Sequence, residues 1–223
     1  QTSWFVIYWE RMMIDFYSAD TFNGRRVAIM LEETALAYTV HPVNLAQQEQ
    51  HKADFLQLNP SGRIPVIVDH EADLDKPLVL TQSTAILHYL AEKTGQLLPK
   101  SLAERAKTYE WMHFHAVDIG SVIFSAFYLQ RRTKPKQIVA ATQLKARIHD
   151  LYQYFDLQLQ QHEFIAGSQY SIADITMLPA VSAQEKLVAD YPHIQRWLQQ
   201  LQQRPAVERA LSISYKKEVC HAS

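Results

Sequence analysis

The sequence predicts an N-terminal α/β module of order β-α-β-α-β-β-α followed by an all-α module. Three observations carry this. Two short apolar runs, Val66-Ile67-Val68 and Leu78-Val79-Leu80, flank an acidic loop and lead into helical spacing from Ser83. Strand signals stop after Gly95 and the linker Leu97-Leu98-Pro99. Ala141, Leu144, Ile148, Leu151, Phe155 and Leu159 then recur at steps of 3, 4, 3, 4 and 4, one apolar face of a long helix.

Residues 1–12 do not fit this plan. Trp4–Trp9 is an apolar run of six, short of the ~20 needed to span a bilayer. It also lacks the charged n-region of a signal peptide. The segment reads as a non-native upstream extension, with Met12 or Met13 the natural start, or as an extra edge strand. A first strand covers Met13–Ser18, and Asp20-Thr21-Phe22-Asn23-Gly24 is a polar turn. A helix from Arg25 presents Val27, Met30-Leu31 and Thr34-Ala35 on one face. Thr39–Leu45 is a second strand broken at His41-Pro42, and Gln47–Leu58 a short helix or irregular loop. Ile64-Pro65 opens the third strand, where a residue without N–H belongs at a strand start or in a cis turn. The β-α-β order implies a parallel pair, and the short link between the last two strands an antiparallel pair. Four such strands with helices on both faces, in residues 13–95, make a thioredoxin-like module.

From 101 to 223 the chain reads as helical. Leu102–Arg132 is interrupted near Asp118-Ile119-Gly120. Ser171-Ile172-Ala173-Asp174 is a capping-box variant opening a helix that runs to about Leu187. Pro192 starts another at its first turn.

The chain has 223 residues, 48% hydrophobic and 20% charged, with a net charge of −1. That gives no electrostatic case for nucleic acid or an anionic membrane as a partner. A single cysteine, Cys220, excludes a disulfide scaffold and suits a reducing, cytoplasmic setting. His113 and His115 are two apart, do not share a helix face, and no HExxH occurs, so no metal is expected.

Thioredoxin-like modules do redox chemistry with a cysteine after the first strand. Here that turn holds Thr21, Phe22, Asn23 and Gly24, so a reacting sulfur must arrive with a ligand. Lowering a free thiol pKa from ~8.5 by ~2 units needs about 2.7 kcal/mol of preference for the thiolate. The Thr21 hydroxyl, the Asn23 amide and the first backbone N–H groups of the helix are suitable donors. The same residues also suit a plain turn and helix cap. Likewise Ser83 at a helix N-terminus suits a bound carboxylate, or an ordinary cap.

The patterns Asn59-Pro60-x-x-x-Ile64-Pro65 and Gln82-Ser83-x-x-Ile86-x-x-Tyr89-Leu90 resemble the glutathione-binding half of cytosolic glutathione transferases. Thr21-x-Asn23-Gly24, followed by Arg25-Arg26, is similar to the bacterial Nu-class enzymes and their fungal nitrogen-regulator-like relatives. The resemblance implies glutathione as co-substrate, with Thr21 and Asn23 meeting its sulfur. Tyr17 is the runner-up donor, because other classes use a tyrosine near there, and Ser18 a weaker one. It further implies a cis Pro65, a backbone contact from Ile64, and contacts from Gln50 and from Arg63 near the glycyl end. Gln82 and Ser83 would hold the γ-glutamyl end. Gln82 stands where Nu-class members more often have Glu. Gln143 falls near a basic residue of those enzymes, for which Lys145 or Arg147 are the substitutes at hand. Phe114, Ile119, Ile123, Phe124, Phe127 and Tyr128 form an aromatic run suited to a hydrophobic second substrate, or to a core.

The expectation is therefore a homodimeric cytosolic glutathione transferase acting on a hydrophobic electrophile. Glutathione-dependent disulfide or peroxide reduction without a protein cysteine is the alternative. A non-enzymatic ligand- or protein-binding scaffold is a third.

Overall fold

The computed structural model describes residues 14–72 and 76–215. The proposed extension 1–12, the middle of the acidic loop and Cys220 lie outside them. Two compact units are present among them, one formed by the described residues up to Thr94 together with 205–215, the other by Gly95–Arg204.

In the first unit the strands are β1 (Ile14–Ser18), β2 (Tyr38–Pro42), β3 (Val66–Asp69) and β4 (Leu78–Thr81). The helices are α1 (Phe22–Glu33), α2 (Ala53–Leu58) and α3 (Ser83–Thr94), with a 3₁₀ turn at Glu49–His51. The sheet order is β2-β1-β3-β4, and the fold is thioredoxin-like. β1 runs parallel to β2, while β1–β3 and β3–β4 are antiparallel. β3 is buried along its whole length, which explains its unbroken β-branched run. β2 ends at Pro42, with Val43 N still donating to Ser18 O at 2.8 Å, so the strand is shorter than the span to Leu45. Val27, Ala28, Ile29, Met30 and Leu31 of α1 pack with Phe16, Ile67, Ile86, Leu87 and Leu90 into the fully buried core.

Asp69 is buried at the β3 end, where it accepts from Tyr89 Oη at 2.7 Å and Glu71 N at 2.8 Å, and pairs with Lys93. Burial alone would raise its pKa, but these partners outweigh it and hold the carboxyl below the usual range.

The second unit comprises α4 (Leu102–His113), α5 (Gly120–Arg131), α6 (Ile138–Gln161), α7 (Ile172–Ser182), α8 (Glu185–Val188) and α9 (Pro192–Gln202). Between α4 and α5 the chain makes a π-helical turn, Phe114–Ile119, which is the interruption near Asp118. By length and hydropathy Leu102–Arg131 would suffice to cross a bilayer. It packs on α6 and α7 within this unit and carries Glu104, Arg105, Lys107, Glu110 and Asp118 along its length. α6 buries Ala141, Ile148, Tyr152, Phe155 and Leu159, so Tyr152 takes the place expected of Leu151.

The capping box is formed as the sequence implied. Ser171 Oγ accepts from Ala173 N, and Asp174 Oδ2 accepts from Ser171 N at 3.0 Å. Asp174 Oδ1 also accepts from Ile165 N at 3.0 Å and Trp197 Nε1 at 2.8 Å. Complete burial pushes its pKa up to about 6 against these bonds. The expected helix to Leu187 instead stops at Ser182 and resumes as α8.

α10 (Pro205–Leu211), in the span expected to be helical, groups by its contacts with the first unit. It buries Ala206, Val207 and Ala210 along α1, and Arg209 Nε meets Glu32 Oε2 at 2.6 Å.

Candidate functional site

Sheet register gathers the expected site residues at one end of the sheet. Ser18 pairs with Pro42, Tyr17 with Val66, and Val66 with Thr81. The turn after β1, the loop after β2, the Ile64-Pro65 entry to β3 and the Gln82-Ser83 exit from β4 therefore share that end. The Ile64-Pro65 peptide is cis.

Thr21 is the N-cap of α1, with φ −138° and ψ 161°. Its Oγ1 accepts from Gly24 N at 3.1 Å, so its own O–H is left to donate outward. Gly24 has to be glycine: a Cβ there would sit 2.4 Å from both Ala19 O and Ser18 Oγ. That close approach sets the helix start hard against the end of β1. Ser18 is buried beneath it and donates to Ala19 O at 3.3 Å, which leaves it inside the fold.

Asn23 is exposed in the first turn of α1, and its Oδ1 accepts from Arg26 Nη1 at 2.6 Å. The same Nη1 lies 3.4 Å from Ser83 Oγ, at the start of α3. Arg26 is only 6% exposed, and burial lowers its pKa to about 10, so it stays charged at neutral pH. Ser83 is buried, and Gln82 before it is exposed with φ +70°, a left-handed conformation costing a non-glycine residue about 1–3 kcal/mol. Gln82 O accepts from Ile86 N at 3.0 Å, starting α3.

Tyr17 faces the other way. Strand alternation puts Ile14, Phe16 and Ser18 on one face of β1, and Asp15 and Tyr17 on the opposite one. The Tyr17 ring stacks on His41 at 4.5 Å and lines a cavity of about 560 Å³ with Glu49, Lys52 and Phe55. Burial, with nearby Asp15, raises its pKa.

Gln50 lies in the 3₁₀ turn, and its side-chain oxygen is buried without a hydrogen-bond partner. Gly62, at φ +62°, packs so close to this turn that a Cβ would fall 2.6 Å from His51 Nδ1. The Arg63 side chain is exposed, while its carbonyl accepts from Asn59 Nδ2 at 2.6 Å. Ile64 packs against Val43, Phe55 and Val66.

The aromatic run in the second unit does not converge. Ile119 is fully buried, and Phe114 packs on Trp111 and Tyr154 at 5.1 and 5.4 Å. Phe124 is 55% exposed, with its ring 6.4 Å from Tyr128. Ile123 and Phe127 line a cavity of about 700 Å³ with Arg131, Arg132 and Lys145. The π-helical turn shifts the helical register between residues 113 and 120, so one stripe in the sequence becomes several faces. Lys145 Nζ donates to Gln130 at 2.9 Å and Arg147 lies 3.9 Å from Asp118, so both are engaged within their own unit. Among the described residues, no group of three His, Cys, Asp or Glu side chains is placed to hold a metal ion.

Sequence reasoning missed Arg26. Its signal was present: Arg26 stands beside Val27 and one turn before Met30, a charge on the buried stripe of α1.

Residues 23–93 match the family model described as glutathione S-transferase, N-terminal domain, and 117–212 match the C-terminal domain. The chain belongs to the glutathione S-transferase family. It is an enzyme of that type, and the family's co-substrate is glutathione. It is 36% identical over 203 residues to the disulfide-bond oxidoreductase YfcG of Escherichia coli, covering 89% of this chain and 94% of that one. A glutathione transferase of Burkholderia graminis, solved with two glutathione molecules per subunit, is 36% identical with a TM-score of 0.83, covering 90% and 88% of the chains. One from Pseudomonas putida, solved with one glutathione disulfide per subunit, is 32% identical with a TM-score of 0.83, covering 91% and 92%.

Proposed function

We propose that this transferase binds glutathione at the starts of α1 and α3 and ionises its thiol there. Gln82 and Ser83 take the γ-glutamyl end, Gln50, Arg63 and the Ile64 backbone take the rest, and Thr21 and Asn23 donate to the sulfur. The observation that carries this is the arrangement at α1. Thr21 accepts its capping bond and keeps its proton, Asn23 accepts from Arg26 and keeps its N–H₂, and both adjoin the helix N-terminus. All three donors favour S⁻ over S–H, and no base is required. In conjugation the thiolate attacks an electrophilic carbon, and the leaving group departs with the bonding electrons.

Glutathione-dependent disulfide reduction is the second reading, favoured by specific relatives. The thiolate of one glutathione attacks a disulfide sulfur, a second releases the mixed disulfide, and glutathione disulfide leaves with two substrate thiols. YfcG is named for disulfide exchange, and two similar structures hold paired glutathione or its disulfide. A cytoplasmic homodimer completes the proposal, and the net charge of −1 supports small-molecule partners over nucleic acid. Calorimetric titration with reduced and with oxidised glutathione tests it. Binding of the reduced form alone supports conjugation, equal or tighter binding of the oxidised form supports disulfide reduction, and binding of neither refutes both.

A further inference from the structure

We propose that Arg26 is the positioning residue of this site, turning both Asn23 and Ser83 into donors toward bound glutathione. The inference rests on the glutathione reading above and deepens it. Arginine can only donate, so the group it meets on Asn23 must be the carbonyl oxygen, at 2.6 Å. That orients the amide, and its N–H₂ is turned away from the guanidinium and toward any anion at the start of α1. The same nitrogen, 3.4 Å from Ser83 Oγ, engages the hydroxyl as an acceptor and leaves its proton to donate. A hydroxyl or an amide unconstrained in this way could present either a donor or an acceptor. Here one buried cation decides both.

The two targets lie 57 residues from Arg26 in the case of Ser83 and 3 in the case of Asn23, so Arg26 ties the first turns of two helices. α1 and α3 pack against each other within one unit, which keeps that span short. The guanidinium is also a positive charge within the fold, close to where a thiolate and a carboxylate would sit. Burial limits its screening by solvent, and its pKa of about 10 keeps it protonated at neutral pH.

Because Arg26 acts on both ends of glutathione, its loss has a distinctive signature. Loss of Ser83 alone should weaken binding, and loss of the Asn23 donor alone should raise the bound thiol pKa. Arg26→Met should do both together, with affinity about tenfold weaker or more and the bound thiol pKa about one unit higher. Arg26→Lys keeps the charge but has a single point donor, and should recover one effect more than the other. Folding of each variant is checked by circular dichroism and thermal midpoint.

Asn23→Asp supplies the test should Arg26→Met fail to fold. It keeps an acceptor for Arg26, removes the N–H₂ and adds a carboxylate charge that also opposes a thiolate, so it should fold and raise the thiol pKa. The experiment is glutathione titration by calorimetry together with thiolate absorbance against pH, on wild type and variants. Wild type that binds no glutathione overturns the functional reading itself. Wild type that binds, with a folded Arg26→Met unchanged in affinity and thiol pKa, overturns the role of Arg26 alone. An unchanged thiol pKa in Asn23→Asp overturns the amide orientation.

Discussion

Thr21 has two separable jobs in this structure, and substitution can pull them apart. As N-cap of α1 it satisfies Gly24 N, which is worth about 0.5–2 kcal/mol against alanine but only a few tenths against glycine. As a donor to a thiolate it contributes a charge-assisted hydrogen bond, worth about 1.5–3 kcal/mol. Divided by 1.36 kcal/mol per unit, that is a thiol pKa about 1–2 units lower. Thr21→Ala should therefore lose stability and raise the thiol pKa. Thr21→Gly should raise the thiol pKa by the same about 1–2 units while unfolding within about 0.5 kcal/mol of wild type. Thr21→Ser should change neither appreciably. Chemical denaturation reads the first quantity, and thiolate absorbance of bound glutathione against pH reads the second. A Thr21→Gly protein whose bound thiol titrates as in wild type would refute the donor role and leave Thr21 a helix cap only.

Other consequences arise from the same contacts. Ser83→Ala should weaken glutathione binding by about 1–3 kcal/mol in calorimetry, because the charged γ-glutamyl end loses a partner; unchanged affinity would move that end elsewhere. Asp174→Ala strands Ile165 N, Ser171 N and Trp197 Nε1 inside the second unit, and should cost about 3–5 kcal/mol in denaturant unfolding. A cost under about 1 kcal/mol would contradict that account. Asp69 is held below its usual pKa, so its contribution is present above the ordinary aspartate value of 3.8 and lost as pH falls through the lowered one. Lys93→Met should bring that loss in at higher pH, shifting the acid-unfolding midpoint upward; an unmoved midpoint would mean Tyr89 and Glu71 N suffice.

Much of the architecture was legible because local signals and tertiary demands agree. The β-branched run at 66–68 is a strand buried on both faces, and the box at Ser171–Asp174 starts a helix as its chemistry requires. The placement of α10 was not legible. Ala206, Val207 and Ala210 announce a buried face, but nothing in seven residues says that the face belongs on α1. Which faces the aromatic run after Phe114 occupies was not legible for a related reason. A π-helical turn rotates the helix C-terminal to it, and side chains that align in the sequence separate in space. Thr21, Asn23 and Ser83 could be picked out by residue type and position. Their orientation could not, because it depends on Arg26, which reads as one half of a basic pair until its burial is seen.

The central claim is that the starts of α1 and α3 together hold glutathione as a thiolate. The most direct test is a pH titration of thiolate absorbance for glutathione bound to the unaltered protein. The account predicts an apparent pKa about 2 units below the ~8.5 of a free cysteine thiol. Glutathione that binds and titrates at its free value would contradict it.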